Sequence, residues 1–157
     1  MSKIIISVVF FLLIGFFIYQ SWTSIQATKQ NLAQGQAFLA ENKTKENIHT
    51  TDSGLQYLIL EEGTGKEHPT TDSQVKVHYE GKLLDGTIFD SSYQRQQPIT
   101  FALNQVIPGW QEGLQLMVVG QKMRLFIPSN LGYGSNSAGA IPPASTLIFD
   151  VELLDFK

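Results

Sequence analysis

Between Ile4 and Tyr19 lie 16 residues of which only Ser7 and Gly15 are not large and apolar. A water-soluble domain cannot leave such a run exposed, so the chain divides there before anything else about it is decided. Carried through to Trp22 the run covers 19 residues, about 28 Å of helix at ~1.5 Å per residue, close to the ~30 Å hydrocarbon core of a bilayer. Tyr19 and Trp22 fall where an aromatic belt meets the far interface. Residues 1–22 therefore read as a membrane anchor. A cleaved signal peptide is the alternative: Lys3 supplies the charged start, but no Ala-x-Ala follows, Ile25-Gln26-Ala27 being a poor substitute. Lys3 and the amino terminus are cationic, and the next cation is Lys29. The positive-inside rule then places the N-terminus in the cytoplasm and the body of the chain outside.

Residues 23–48 change character. They are rich in Ala, Gln, Lys and Glu, contain no Pro, and open with Thr23 and Ser24 as candidate caps. Ile25, Leu32 and Leu39 recur every seven residues, but the paired positions are Thr28, Gly35 and Asn42, too polar for a coiled-coil seam. The segment reads as a solvated helical stalk on a monomer, with the stalk as the route to any dimer. Fully helical, its 26 residues would lift the following domain by up to ~39 Å.

From Thr50 onward the signals are those of strands and turns. Gly54–Leu60 is apolar and bounded by glycines, and Val75–Tyr79 alternates with period two. Asp85-Gly86 is a hairpin-type turn between Lys82–Leu84 and Thr87–Phe89. Met123, Leu125 and Ile127 alternate with Lys122, Arg124 and Phe126; Leu147, Phe149, Val151 and Leu153 alternate with Ile148, Asp150, Glu152 and Leu154. Within Pro108–Met117, Trp110, Leu114 and Met117 share one helical face. About five strands and one short helix, with no βαβ alternation, predict an α+β domain over 49–157: a curved antiparallel sheet wrapped around one helix.

Much chemistry is missing from these residues. The 11 Lys and Arg side chains are scattered and net charge is −3, which disfavours a nucleic-acid partner. His49, His68 and His78 have no metal-ligand spacing, and there is no Cys, so no metal is expected. No Gly-x-Ser-x-Gly elbow occurs. Gly65-Lys66 lacks the upstream glycine of a phosphate-binding loop, and Gly132-Tyr133-Gly134 lacks the third glycine of a dinucleotide fingerprint. What remains is a binding module, or an enzyme whose reaction needs only shape, low dielectric and hydrogen bonds, without a cofactor.

Several blocks carry more. In order they are Val77-His78-Tyr79-Glu80-Gly81, Asp85-Gly86-Thr87-Ile88-Phe89-Asp90-Ser91-Ser92 and Val106-Ile107-Pro108-Gly109-Trp110. Then come Leu131-Gly132-Tyr133-Gly134, Ile141-Pro142-Pro143-Ala144 and Leu147–Leu153. At this spacing they closely resemble the FKBP family of peptidyl-prolyl isomerases over about residues 50–157. Ala37–Asn42 and Thr50–Tyr57 also resemble the bacterial macrophage-infectivity-potentiator branch, which commonly carries a helix ahead of its isomerase domain and works outside the cytoplasm. The resemblance implies the periplasmic side of a bacterial inner membrane, with a secreted periplasmic form as the alternative.

The resemblance also implies a pocket with Trp110 as floor and Tyr79, Phe89, Phe101, Val106, Ile107, Tyr133, Ile141 and Phe149 around it. Asp90 would be the polar group of the wall, the Ile107 N–H would hold a substrate carbonyl, and Arg95 would brace Asp90. Asp90, Ile107, Tyr133 and Phe149 are the implied catalytic positions. Proline-containing polypeptides are the implied substrates and macrolides possible ligands; a non-catalytic proline-binding chaperone would use the same pocket. Departures lie at the rim: Ile99 stands at a position aromatic in familiar eukaryotic members, Gln105 replaces an acidic residue, and Ser135–Ala140 is short, small and polar.

Overall fold

The computed structural model describes residues 2–157, with side chains from Val8 onward. Helix α1 runs unbroken from Ser2 to Asn42. Seven strands follow: β1 (His49–Thr50), β2 (Gln56–Glu61), β3 (Gln74–Leu83), β4 (Ile88–Ser91), β5 (Ile99–Ala102), β6 (Lys122–Ile127) and β7 (Leu147–Phe156), with helix α2 (Pro108–Gln115) between β5 and β6. All pairings are antiparallel, in the order β1-β2-β6-β7-β3-β4. The ten-residue β3 is shared, pairing β5 through residues 74–77 and β4 through residues 80–82.

This is the expected α+β architecture, a curved antiparallel sheet around one short helix. The short β1 and β5, which carry too few residues for a periodic signal, extend the sheet beyond the five or so strands expected. The Asp85-Gly86 turn closes as read: Leu83 N–H donates to the Thr87 carbonyl at 2.9 Å, and Gly86 takes φ +87°.

Period-two alternation delivers one apolar face. Val75, Val77, Met123, Leu125, Leu147, Phe149, Val151 and Leu153 are buried, and Trp110, Leu114 and Met117 press onto them from α2. Each such aliphatic side chain contributes about 1.5–3 kcal/mol on burial. The opposite face departs from simple alternation, because Phe126 and Ile148 are buried there as well.

Helix α1 covers them, and the stalk expected to stand in solvent lies instead against the domain. Phe38 meets Phe126 at 5.9 Å between ring centres. The buried Asn42 Nδ2 donates to Gln56 Oε1 at 2.9 Å, and Gln56 Nε2 donates to the Leu39 carbonyl at 2.8 Å. Higher up, Asn31 Nδ2 donates to the Pro143 carbonyl at 2.8 Å, and Gly35 is buried against Thr146. Of the sequence heptad Ile25, Leu32 and Leu39, the first two stay exposed and Leu39 is half-buried. Contact with the domain thus begins nine residues after Trp22, or ~14 Å along the axis, well short of the ~39 Å that a free stalk would give.

Among the described residues, α1 is one helix long and apolar enough to cross a membrane, and its apolar stretch touches nothing in the domain. Phe11 and Phe17, for example, are more than 70% exposed.

Candidate functional site

The concave face of the sheet opens beside α2 into a cavity of about 520 Å³. Its floor is Trp110, delivered by the first turn of α2, whose Pro108 supplies a fixed φ where no N–H is needed. Tyr79 comes from β3 and stands edge-on to the indole at 5.1 Å and 87°. Phe149 comes from β7 and also stands edge-on to the indole, at 5.1 Å and 86°. Phe89 of β4 completes the series against Phe149 at 5.4 Å and 85°, and Phe101 of β5 tilts onto Trp110 at 5.4 Å. Edge-to-face contacts of this kind add about 0.5–1.5 kcal/mol each beyond area burial. Gly81 makes the cluster possible: a Cβ there would sit 2.6 Å from the Phe149 ring and 2.7 Å from that of Phe89.

Polar groups are few and placed. The Trp110 Nε1–H is buried and has no partner among the described residues. The Ile107 N–H likewise has no acceptor among them, although the backbone around it is held firmly. The Ile107 carbonyl accepts from Trp110 and Gln111 N–H at 3.0 and 3.1 Å, and the Val106 carbonyl accepts from Gln111 Nε2 at 2.7 Å. A lining donor that stays free while its neighbours are fixed is prepared for an incoming acceptor.

Asp90 is the one acid lining the cavity. Its carboxylate accepts from the Tyr79 hydroxyl and from Arg95 Nη1, while Arg95 Nη2 donates to the Tyr79 oxygen at 3.1 Å. Partial burial pushes the Asp90 carboxyl upward, but the hydrogen bonds from Tyr79 and Arg95 outweigh it and hold the pKa below the ordinary value. Burial, joined by the Asp90 bond, pushes the Tyr79 hydroxyl up. At neutral pH the wall thus carries a fixed carboxylate beside a neutral phenol.

Ten of the eleven residues expected at the site line this one cavity: Tyr79, Phe89, Asp90, Phe101, Val106, Ile107, Trp110, Tyr133, Ile141 and Phe149. Arg95 does not line it; it stands behind the wall and reaches the site through Asp90 and Tyr79. Ile99 and Gln105, two of the rim departures, do line it. Ala138, Gly139 and Ala140 line it too, in a tight turn where Ala138 and Ile141 exchange backbone hydrogen bonds of 2.9 and 3.0 Å. Side chains this small carry no chemical signature, so only their position in the Ser135–Ala140 segment pointed to them. Among the described residues no group of three His, Asp or Glu side chains gathers anywhere.

Comparisons with known proteins agree with this geometry. The family description "FKBP-type peptidyl-prolyl cis-trans isomerase" matches residues 65–154, and "Domain amino terminal to FKBP-type peptidyl-prolyl isomerase" matches residues 19–59. The FKBP-type peptidyl-prolyl cis-trans isomerase FkpA of Aeromonas hydrophila is 55% identical over 125 residues, covering 80% of this chain and 46% of that protein. The outer membrane protein MIP of Legionella longbeachae is 47% identical over 130 residues, covering 82% of this chain and 55% of that one. The crystal structure of FkpA from Escherichia coli superposes with a TM-score of 0.86 at 38% identity, covering 93% of this chain and 70% of that one. The chain spans about half the length of the curated relatives it matches. With that sequence similarity, that superposition and an aromatic cavity formed at the expected positions, this chain belongs to the FKBP-type peptidyl-prolyl cis-trans isomerase family.

Proposed function

We propose that residues 49–157 catalyse cis/trans isomerisation of X-Pro bonds in polypeptide chains outside the cytoplasm, held at a membrane through residues 4–22. One observation carries the reading: an aromatic floor and walls, an unpaired backbone N–H and a pinned carboxylate occur in one cavity.

The mechanism follows from the bond. A planar amide is dipolar through resonance, and rotation costs ~18–20 kcal/mol because that resonance is lost. Water stabilises the dipolar planar form more than the twisted one, so an apolar cavity lowers the barrier by removing that differential. The prolyl ring rests on Trp110 between Tyr79 and Phe149. The Ile107 N–H donates to the carbonyl on the C-terminal side of proline and fixes that half of the substrate. Asp90 faces the carbonyl that turns, and Tyr133 stands at the exposed rim where that oxygen emerges. Rotation then proceeds with one end of the amide held and the other free. No proton moves and no covalent bond forms, so a single carboxylate without a second acid or base suffices. A 10⁴-fold acceleration requires about 5.5 kcal/mol. With Ile99 and Gln105 at the rim, macrolide ligands meet a surface unlike that of familiar eukaryotic members.

An NMR exchange or protease-coupled assay on the full chain in detergent, with a short X-Pro peptide, tests the reading. Interconversion well above the spontaneous rate is expected. Peptide binding without acceleration would mark a non-catalytic proline-binding chaperone instead. For location, alkaline carbonate extraction should leave the protein in the membrane fraction, and added protease should reach it only once the outer barrier is opened. A soluble mature chain beginning near Thr28 would mean that residues 1–22 are a signal peptide.

A further inference from the structure

We propose that helix α1 is a positioning element of the substrate cavity, acting through a seam at Asn31 and Gly35 that fastens the segment leading out of the cavity rim. The inference rests on the isomerase reading for its kinetic consequence, though its structural consequence stands apart from it.

The rim turn Ala138–Ile141 lines the cavity and runs directly into Pro142–Thr146. Helix α1 grips that continuation at two points. Asn31 Nδ2 donates to the Pro143 carbonyl at 2.8 Å, and one helical turn later Gly35 lies against Thr146. The approach is so close that a Cβ on Gly35 would stand 2.2 Å from Thr146 Oγ1, while the next atom, Thr146 Cβ, is at 3.3 Å. Glycine is a poor residue for the middle of a helix, and the close approach of the Thr146 side chain is what calls for it here.

Between the two grips sits Ala144, with φ +55°. This left-handed conformation is uncommon for a residue with a side chain and persists where the surroundings over-determine it. Those surroundings are visible: Ala144 N–H donates to the Gly134 carbonyl at 2.9 Å, and Ser145 Oγ donates to the Pro142 carbonyl at 2.7 Å. The helix anchors residues 143 and 146, the Gly134 bond ties Ala144 to the Tyr133 side of the rim, and the turn between them lines the cavity. A shift of α1 away from Thr146 is therefore transmitted to Ile141 and Tyr133 through the constrained backbone of residues 142–145. In a chain whose α1 also carries the apolar span, the helix that holds the domain at the membrane is the one that holds the cavity rim.

The geometry supplies its own compensating pair. Gly35→Ala should force the seam open against Thr146 Oγ1, and Thr146→Ala removes that atom, so Gly35→Ala with Thr146→Ala should close it again. All four proteins, full length in detergent micelles, are compared by amide hydrogen exchange and by kinetics on an X-Pro tetrapeptide. Gly35→Ala is expected to speed exchange at Ala138, Ile141 and Ala144, and to raise KM by roughly two- to thirty-fold with kcat little changed, the range for coupling through packed contacts. Thr146→Ala should stay near wild type, and the double variant should return towards it on both readouts. The inference is overturned if Gly35→Ala speeds exchange along residues 31–42 while Ala138, Ile141 and Ala144 stay protected. It is equally overturned if the double variant behaves like Gly35→Ala alone. Should wild type itself fail to catalyse, the proposed function falls, and the exchange pattern still decides this one.

Discussion

The two faces of the sheet are held by different kinds of interaction. On the concave face, apolar side chains gather around Trp110, and what holds them is mainly the burial of apolar surface. On the convex face, α1 is attached through a few contacts, two of them hydrogen bonds (Asn31 to Pro143 and Asn42 to Gln56) and two of them close packing (Gly35 to Thr146 and Phe38 to Phe126). The first arrangement yields a stable, dry pocket from hydrophobicity alone. The second yields a specific docking angle, because each contact is satisfied at one position of the helix only. A catalyst of rotation needs both: the dry cavity lowers the barrier, and the fixed rim determines what enters it.

The sharpest way to break the comparison is Phe149→Ala. It removes a cavity wall and three ring contacts together, so denaturation should show a loss of about 3–5 kcal/mol. The isomerase assay should show kcat/KM at least about tenfold lower, or ~1.4 kcal/mol. A stable, fully active Phe149→Ala protein would mean that the aromatic wall is not what the concave face depends on.

Asp90→Ala separates chemistry from packing on the same face. Activity should again drop about tenfold, but the partly exposed Arg95 pair contributes little to stability, so the melting temperature should hardly move. Full activity in a folded Asp90→Ala protein would remove that carboxylate from the mechanism.

On the convex face, Asn42→Ala leaves the buried Gln56 Oε1 unpaired, at an expected cost of about 1–3 kcal/mol in chemical denaturation. No change would show that this face too is held by apolar contact alone.

Arg95→Ala should lower kcat/KM by less than Asp90→Ala, since Arg95 acts on the cavity only through Asp90 and Tyr79.

The smallest effect is that of pH. Because the Asp90 pKa is lowered from 3.8 and that of Tyr79 raised from 10.0, kcat/KM should stay flat between these values. Asp90 is depressed in the folded state, so its contribution to stability is present above 3.8 and is lost as pH falls through the lower folded value. An inflection near neutrality would implicate a histidine in the site.

The sequence by itself determined the concave side. Period-two alternation in Val75–Tyr79, Met123–Ile127 and Leu147–Leu153 specifies which residues face inward, because a strand shows each face every second residue. The family blocks place the aromatic residues in register, and ten of the eleven expected site residues line the cavity. What only the tertiary structure decided is the path of α1. The docking stripe, Asn31, Gly35, Phe38 and Asn42, contains one large apolar residue, so hydrophobic periodicity selects Ile25, Leu32 and Leu39 instead, and the first two of these stay in the open. Polar and glycine contacts have no period in a sequence. Their worth depends on a partner at bonding distance, and Pro143 lies 112 residues from Asn31 along the chain. Burial of apolar surface is a property each residue carries with it, whereas a hydrogen bond or a close approach exists only once two distant segments have been brought together.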